Sequence, residues 1–349
     1  MLVKTEQLIP GCVVITDVMG KTKDPLIPAK TVLTDRHITF LHKFQVESVN
    51  VSEKLENGEL FRPDPNQRAI ITEQENNIPN LPLSQHYMYA VQQYKAMFSD
   101  WQNQIPIDMS AVRKLIIPLL ERTSKQDDFI FSEMVKIDPA NIYSSAVSFS
   151  ILSAYTGMIA GYDQGKSLQI GFAAFLADCG LSQIVKDLAD DSPAFHPKAE
   201  KHPIVAYKMI EKLPTLTRQA KIAVLQHHER LDGTGYPFGL EGNKMHPFAK
   251  ILSFCDHYYE QTVKNGISPF NVIDEVMNKY ALRFDQKIAK QFAKRFVSFV
   301  RNRDVILSNG KTGKIVFIEI NELTTPMIQD ERTGEIYTLD SSVKIKQVK

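Results

Sequence analysis

The sequence predicts a multidomain protein: an all-α helical bundle flanked by a small N-terminal α+β module and a C-terminal β meander. Three observations carry the prediction. From Leu83 to about Val300, apolar residues recur at helical spacing almost without interruption, whereas the stretches on either side are short β-branched runs broken by Gly, Pro and Asn. Pro203, Pro247 and Pro269 fall where the first turn of a helix tolerates proline. The length of 349 residues, with 43% apolar side chains, suffices for more than one core.

Residues 1–53 are read as the α+β module. Gly11, the run Val13-Val14-Ile15, Pro25, Pro28 and the run at 46–51 mark short strands, and Thr34 caps a short helix at 35–44. Residues 54–82 are polar and turn-rich, with Gly58, Pro63, Pro65 and Pro79, and are read as a linker. The helical domain, 83–301, contains candidate helices at 83–98, 110–123, 141–159, 167–181, 203–213, 217–230, 247–264, 269–279 and 286–301. The meander, 302–349, has strands at 304–307, 314–320, 327–330, 336–339 and 343–348, with turns at Ser308-Asn309-Gly310 and Arg332-Thr333-Gly334.

Composition excludes several function classes. The net charge is +1, from 41 basic and 40 acidic residues, so nothing general favours a nucleic acid polymer or a membrane surface. An anionic ligand must be met by a local cluster. Cys12, Cys179 and Cys255 lie far apart and form no C-x-x-C pair, which argues against a disulfide framework and a thiolate zinc site. Lys4, Glu6 and Pro10 interrupt the N-terminus where a signal peptide needs an apolar core, and no apolar run reaches the roughly 18 residues of a membrane span. A cytoplasmic protein is expected.

The chemistry concentrates in the run His227-His228-Glu229-Arg230-Leu231-Asp232-Gly233-Thr234-Gly235-Tyr236-Pro237. Ala220, Ala223 and Val224 mark the buried stripe of the helix before it, and the same spacing carries that stripe on to both histidines. A buried imidazole needs a hydrogen-bond partner or a metal ion. Asp178 continues a stripe through Gly171, Ala174 and Phe175, Asp256 follows Leu252 and Cys255, and His202 stands at a helix entrance before Pro203. Each alone has an ordinary explanation: Asp178 can cap a neighbouring helix, Asp256 can pair with a lysine, and His202 can be an N-cap. Together Asp178, His202, His227, His228 and Asp256 form a nitrogen and oxygen donor set that suits iron, manganese or zinc. An aspartate can bridge two ions, and ions about 3.5 to 4 Å apart are the usual apparatus for attacking a phosphodiester. The expectation is a metal-dependent phosphohydrolase.

These residues resemble the HD-GYP family, cyclic-di-GMP phosphodiesterases of the wider HD superfamily. HHERLDGTGYPFGLEG is similar to the family signature almost residue for residue, KHPIVAYKMI resembles its His-Pro helix, and AKILSFCDHYYE resembles its later metal-binding aspartate segment. LIPGCVVITDV and TVLTDRHITFLHKFQVESV look like the small domain that often precedes it. The resemblance implies an HD-type bundle, the five metal ligands named above, and a substrate or partner loop of Arg230, Asp232, Gly233, Gly235, Tyr236 and Pro237. It also implies bacterial signal transduction, with a cyclic dinucleotide as ligand and a diguanylate cyclase domain or another signalling protein as partner.

The departures from the family pattern bear on activity. Where the family has His-Asp followed by Gly-Lys, this chain has Ala177-Asp178-Cys179-Gly180-Leu181. In IYSSAVSFSILS, Ser145 falls where the first helix supplies a histidine ligand, and the second aspartate of Asp-x-x-Asp-Ala is Tyr259. No Arg-Pro-Tyr-Arg follows. Ser145, Ala177 and Leu181 are thus lost positions, and the resemblance leaves one ion with Asp178, His202, His227 and His228, the second keeping only Asp178 and Asp256. Lys198, Lys201, Lys208, Arg230 and Lys250 are candidate phosphate cations, though for any one of them ordinary solvated surface charge is the favoured explanation. Three readings follow: a degenerate member binding one metal with little or no hydrolysis, an active phosphodiesterase whose altered site recruits His196, His257 or Glu229, and a catalytically dead scaffold.

Overall fold

The computed structural model describes residues 1–19, 25–44, 46–63, 81–138, 140–185, 199–340 and 342–348. The chain divides into two compact units, Met1–Leu81 and Pro82–Lys349. In the first, β1 (Leu2–Lys4) and β2 (Cys12–Val14) flank β5 (Ser48–Leu55) in an antiparallel sheet, while β3 (Val18–Met19) pairs with β4 (Pro25–Ile27). Helix α1 (Asp35–Lys43) supplies Ile38 and Leu41 to the core beside Val3, Cys12, Val14, Val49 and Val51. Strand β5 extends to Leu55 and Lys54 bridges Leu60, so the stretch expected to begin the linker starts as strand. Residues 64–80 of that expected linker lie outside the described residues.

The second unit opens with α2 (Leu83–Gln102) and α3 (Met109–Thr123), whose N-cap Asp108 accepts the Ser110 amide at 2.8 Å. At its centre runs α4 (Ile142–Ile159), started by a capping box in which Asn141 accepts from Ser144 N while Ser144 Oγ accepts from Asn141 N. Its sequence is apolar nearly all round, and it has the length and hydropathy of a membrane span, yet 83% of that window is buried among the other helices. Helix α5 (Gln164–Leu176) lies against it closely: a Cβ at Gly171 would come within 3.1 Å of Ala154 Cβ.

Helices α6 (His202–Ile210), α7 (Arg218–Gln226) and α8 (Pro247–Tyr259) pack around α4 and α5, followed by α9 (Pro269–Met277) and α10 (Gln286–Val300). Two expected helices end early where the site residues sit. The 167–181 helix stops at Leu176 and gives way to a tight turn through Cys179–Gln183, and the 217–230 helix stops at Gln226.

The chain then forms an antiparallel sheet of order β10-β6-β7-β8-β9, from β6 (Asp304–Leu307), β7 (Thr312–Glu319), β8 (Glu322–Asp330), β9 (Ile336–Thr338) and β10 (Ile345–Val348). Its inward residues Val305, Leu307, Ile315 and Ile328 belong to the same buried cluster as Val276, Phe296 and Val300 of the helices.

Candidate metal centre

Four of the five expected ligands converge. One donor atom from each of Asp178, His202, His227 and His228 lies within 4.8 Å of all the others. Local structure explains the placement. Gly180 lets α6 sit on the turn after α5, since a Cβ there would stand 2.3 Å from His202 O and 2.6 Å from Ala206 N. His202 therefore opens α6 directly over Asp178. It is not an N-cap, and among the described residues Asp178 caps no helix with its side chain.

The imidazoles are oriented by their own backbone neighbourhood. His202 Nδ1 donates to Ala199 O and His227 Nδ1 donates to Val224 O, each at 2.7 Å. A carbonyl oxygen can only accept, so both Nδ1 atoms carry the proton and both Nε2 atoms keep a lone pair. Those two Nε2 atoms face each other at 3.2 Å, with Asp178 Oδ1 at 3.0 Å from one and 3.5 Å from the other. Three acceptors so close together are stable only around a shared positive charge, a proton or a cation. The donor set fits a divalent metal of the iron, manganese or zinc type.

Electrostatics agree with a ligand role. Burial above all, with the neighbouring His227 acting in the same direction, pushes the His228 imidazole down to about 3, so it is neutral at physiological pH, the form that ligates. Burial would raise the Asp178 carboxyl, but its contacts with His202 and His227 outweigh that and hold it well below the usual range.

Asp256, the fifth expected ligand, stands one side chain away. Its Oδ2 is 3.2 Å from His228 Nδ1 and 3.3 Å from the Arg230 guanidinium, so it pairs with an arginine and a histidine instead of a lysine. Burial raises its carboxyl, and His228 and Arg230 more than offset this.

Sequence reasoning missed the role of Glu229. It is fully buried, and its two carboxylate oxygens accept the amides of Phe238 and Leu240 at 2.7 and 2.8 Å. The loop is thereby tied to the residue next to His228. Asp232 turns the loop by accepting from Thr234, and Gly233 takes a left-handed φ of 77°. Gly235 must lack a side chain, since a Cβ would come within 2.4 Å of Arg230 N. Tyr236 stacks on His228, with ring centroids 4.6 Å apart. The signal for Glu229 was a buried acid directly after two histidines, which has to find donors nearby.

The remaining candidates separate. Arg230 is enclosed by Ser253 Oγ at 2.7 Å, the His227 and Glu229 carbonyls and the Phe284 ring. Lys250 pairs with Asp285 at 3.4 Å, and Lys201 and Lys208 are exposed. His257 rests against Tyr280 and Phe284. His196 and Lys198 lie outside the described residues. At the positions where the resemblance implies lost ligands, Ser145 Oγ bonds Tyr259 Oη at 3.2 Å, Ala177 is fully buried and Leu181 belongs to the core.

Comparison with known proteins gives one domain family. The model of the HD domain matches residues 130–288. The cyclic di-GMP phosphodiesterase PdeB of Borreliella burgdorferi is 26% identical over 195 residues, covering 52% of this chain and 50% of that protein. The cyclic di-GMP phosphodiesterase PA4108 of Pseudomonas aeruginosa is 23% identical over 245 residues, covering 67% of this chain and 58% of that protein. The chain thus spans little more than half the length of the curated relatives it matches. Among solved structures, Bd1817, an HDG"Y"P protein from Bdellovibrio bacteriovorus, aligns at 17% identity and a TM-score of 0.34, covering 83% of this chain and 97% of that one.

Proposed function

This chain is an HD-domain protein of the HD-GYP family, and from that premise we propose that it acts in cyclic-di-GMP signalling as a degenerate member. It holds one divalent cation and binds a cyclic dinucleotide or a signalling partner, with little or no hydrolysis. The observation that supports this reading is what stands at the two positions where the family resemblance expects further histidine ligands. Ser145 offers only a hydroxyl already bonded to Tyr259, and Ala177 offers a methyl group. A second cation would find Asp178 and Asp256, and Asp256 already faces a guanidinium at 3.3 Å.

In this reading Asp178, His202, His227 and His228 hold the cation, which when bound supplies positive charge opposite a phosphate oxygen. The chain's own residues do the rest. Backbone carbonyls of Ala199 and Val224 keep the Nε2 lone pairs forward. Tyr236 covers His228, and the loop from Arg230 to Pro237, held by Glu229, forms the wall against which a nucleotide or partner rests. Missing a second ion at the developing charge costs about 4 kcal/mol, which is about a thousandfold in rate.

A second reading, an active phosphodiesterase with an altered metal site, is favoured by the two relatives named as cyclic di-GMP phosphodiesterases. It needs a replacement donor: among the described residues, Glu229 holds two loop amides, and His257 packs against Tyr280 and Phe284 with its Nε2 meeting no hydrogen-bond partner. Elemental analysis after loading with manganese or iron, beside binding and turnover of cyclic-di-GMP, separates the readings. About one metal per chain with nucleotide binding and no linear product is expected. Two metals with steady production of a linear dinucleotide would overturn it in favour of the enzyme, and neither metal nor nucleotide binding would leave only the scaffold.

A further inference from the structure

Beside the imidazole cluster, five side chains form a directional chain of hydrogen bonds. Ser145 Oγ donates to Tyr259 Oη at 3.2 Å, and Tyr259 Oη donates to Asp138 Oδ2 at 2.9 Å. Ser148 Oγ donates to the same carboxylate oxygen at 2.6 Å, and the Tyr87 and Ser148 hydroxyls are 2.8 Å apart. Because the Ser148 proton goes to the carboxylate, Tyr87 is the donor in that last pair. The other oxygen, Asp138 Oδ1, accepts the Ala140 amide at 2.7 Å. Burial first, and the Asp138 charge second, push both phenols above their ordinary value, so both remain protonated donors. Four hydroxyl protons run one way, into one carboxylate.

The position of this chain gives it meaning. Tyr259 lies one helical turn beyond Asp256, whose carboxylate touches His228. Ser145 lies one turn before Phe149, whose ring centroid is 6.2 Å from that of His227. The Ser145–Tyr259 bond therefore joins α4 to α8 directly alongside the residues that touch the imidazoles.

We propose that the phenol of Tyr259, pinned by Asp138 and Ser145, is a plug that closes the α4–α8 side of the metal centre to a second cation and fixes the count of ions at one. The proposal rests on the one-cation reading above and deepens it. A second cation on that side needs carboxylate or imidazole donors, and hydroxyls are weak neutral substitutes. The Asp138 carboxylate sits close by, but recruiting it breaks its bonds to Tyr259, Ser148 and Ala140. Placing imidazoles at positions 145 and 177 is then insufficient by itself, because position 259 still presents a phenol pinned by Asp138 where a carboxylate donor is needed.

The test is Mn2+ binding by the full chain, read by elemental analysis after dialysis and by isothermal titration. The parent chain and the Ser145→His, Ala177→His double variant are each expected to hold about one ion, and adding Tyr259→Asp to the double variant raises this to about two. Two ions on the double variant overturn the plug and leave the one-cation reading standing, whereas two ions on the parent overturn that reading itself. A folded triple variant that still holds one ion also overturns the plug. If the triple variant loses its cooperative melting transition, Tyr259→Asp alone is titrated to millimolar Mn2+. A second binding event absent from the parent is expected, and its absence overturns the proposal.

Discussion

The Nε2 atoms of His202 and His227 lie 3.2 Å apart, and neither donates to the other, because each ring has already committed its proton to a backbone carbonyl at Nδ1. Two lone pairs held against a carboxylate make a receptor for positive charge. Replacing either imidazole by alanine removes one of four donors and is expected to weaken Mn2+ binding by at least about a hundredfold, measured by isothermal titration. The parent chain's melting temperature should rise on adding Mn2+, by about 2.7 kcal/mol of stability at a hundred times the dissociation constant, and EDTA should reverse it. No rise in the parent, or an equal rise in the variants at the same Mn2+ concentration, would contradict the assignment.

Acid should destabilise the metal-free chain early. His228, His86 and His257 are pushed down from 6.5, by burial above all, to about 3, about 4 and about 4 respectively. Between those values and about 6.5 the unfolded chain binds more protons than the folded one, so stability rises with pH through that window. Their contribution is complete above about pH 6.5 and is lost as pH falls. Asp178 and Asp256, both depressed, add a loss in the same direction below about pH 4. Melting temperatures of the EDTA-treated chain should fall steadily from about pH 7 to about pH 4.5, and a flat profile over that range would count against these buried neutral imidazoles.

Glu229→Ala should leave the Phe238 and Leu240 amides without their acceptor, at about 1–3 kcal/mol for each buried group. Thermal unfolding reads the stability, and hydrogen exchange at residues 231–241 reads the loop. Glu229→Gln, which keeps one acceptor oxygen, should show about half the effect. Equal protection of the loop in the parent and the alanine variant would refute the clamp.

Gly180→Ala should damage metal binding without touching a ligand. The added Cβ meets His202 O at 2.3 Å and Ala206 N at 2.6 Å, both backbone atoms that cannot swing away. Helix α6 must move, at about 1–3 kcal/mol, and it carries His202 with it. Mn2+ affinity should fall by at least about tenfold in a chain that still melts cooperatively, and unchanged affinity would show that α6 tolerates the shift.

Most of the architecture was legible because periodicity is a strong signal in long segments: α4, α8 and α10 lie close to where apolar spacing put them, and the turn residues at 308–310 and 332–334 separated real strands. The gathering of Asp178, His202, His227 and His228 was legible too, from residue type and from the burial that spacing implied. Less legible was what happens where helices stop. Asp178 and His228 were extrapolated along stripes that end at Leu176 and Gln226, so their direction comes from turn geometry, which a 3.6-residue period does not encode. The partners of Asp256 and Glu229, and the gathering of hydroxyls around Asp138, depend on contacts between distant segments that composition cannot rank.

Glu229 follows His228 with no residue between them, and it grips the loop whose Tyr236 returns to lie on that same imidazole. The circuit closes on itself over about ten residues of chain, so cradle and cover share one mechanical frame. Neither half of this frame can drift without dragging the other, so a change anywhere in the loop is felt at the imidazole it covers.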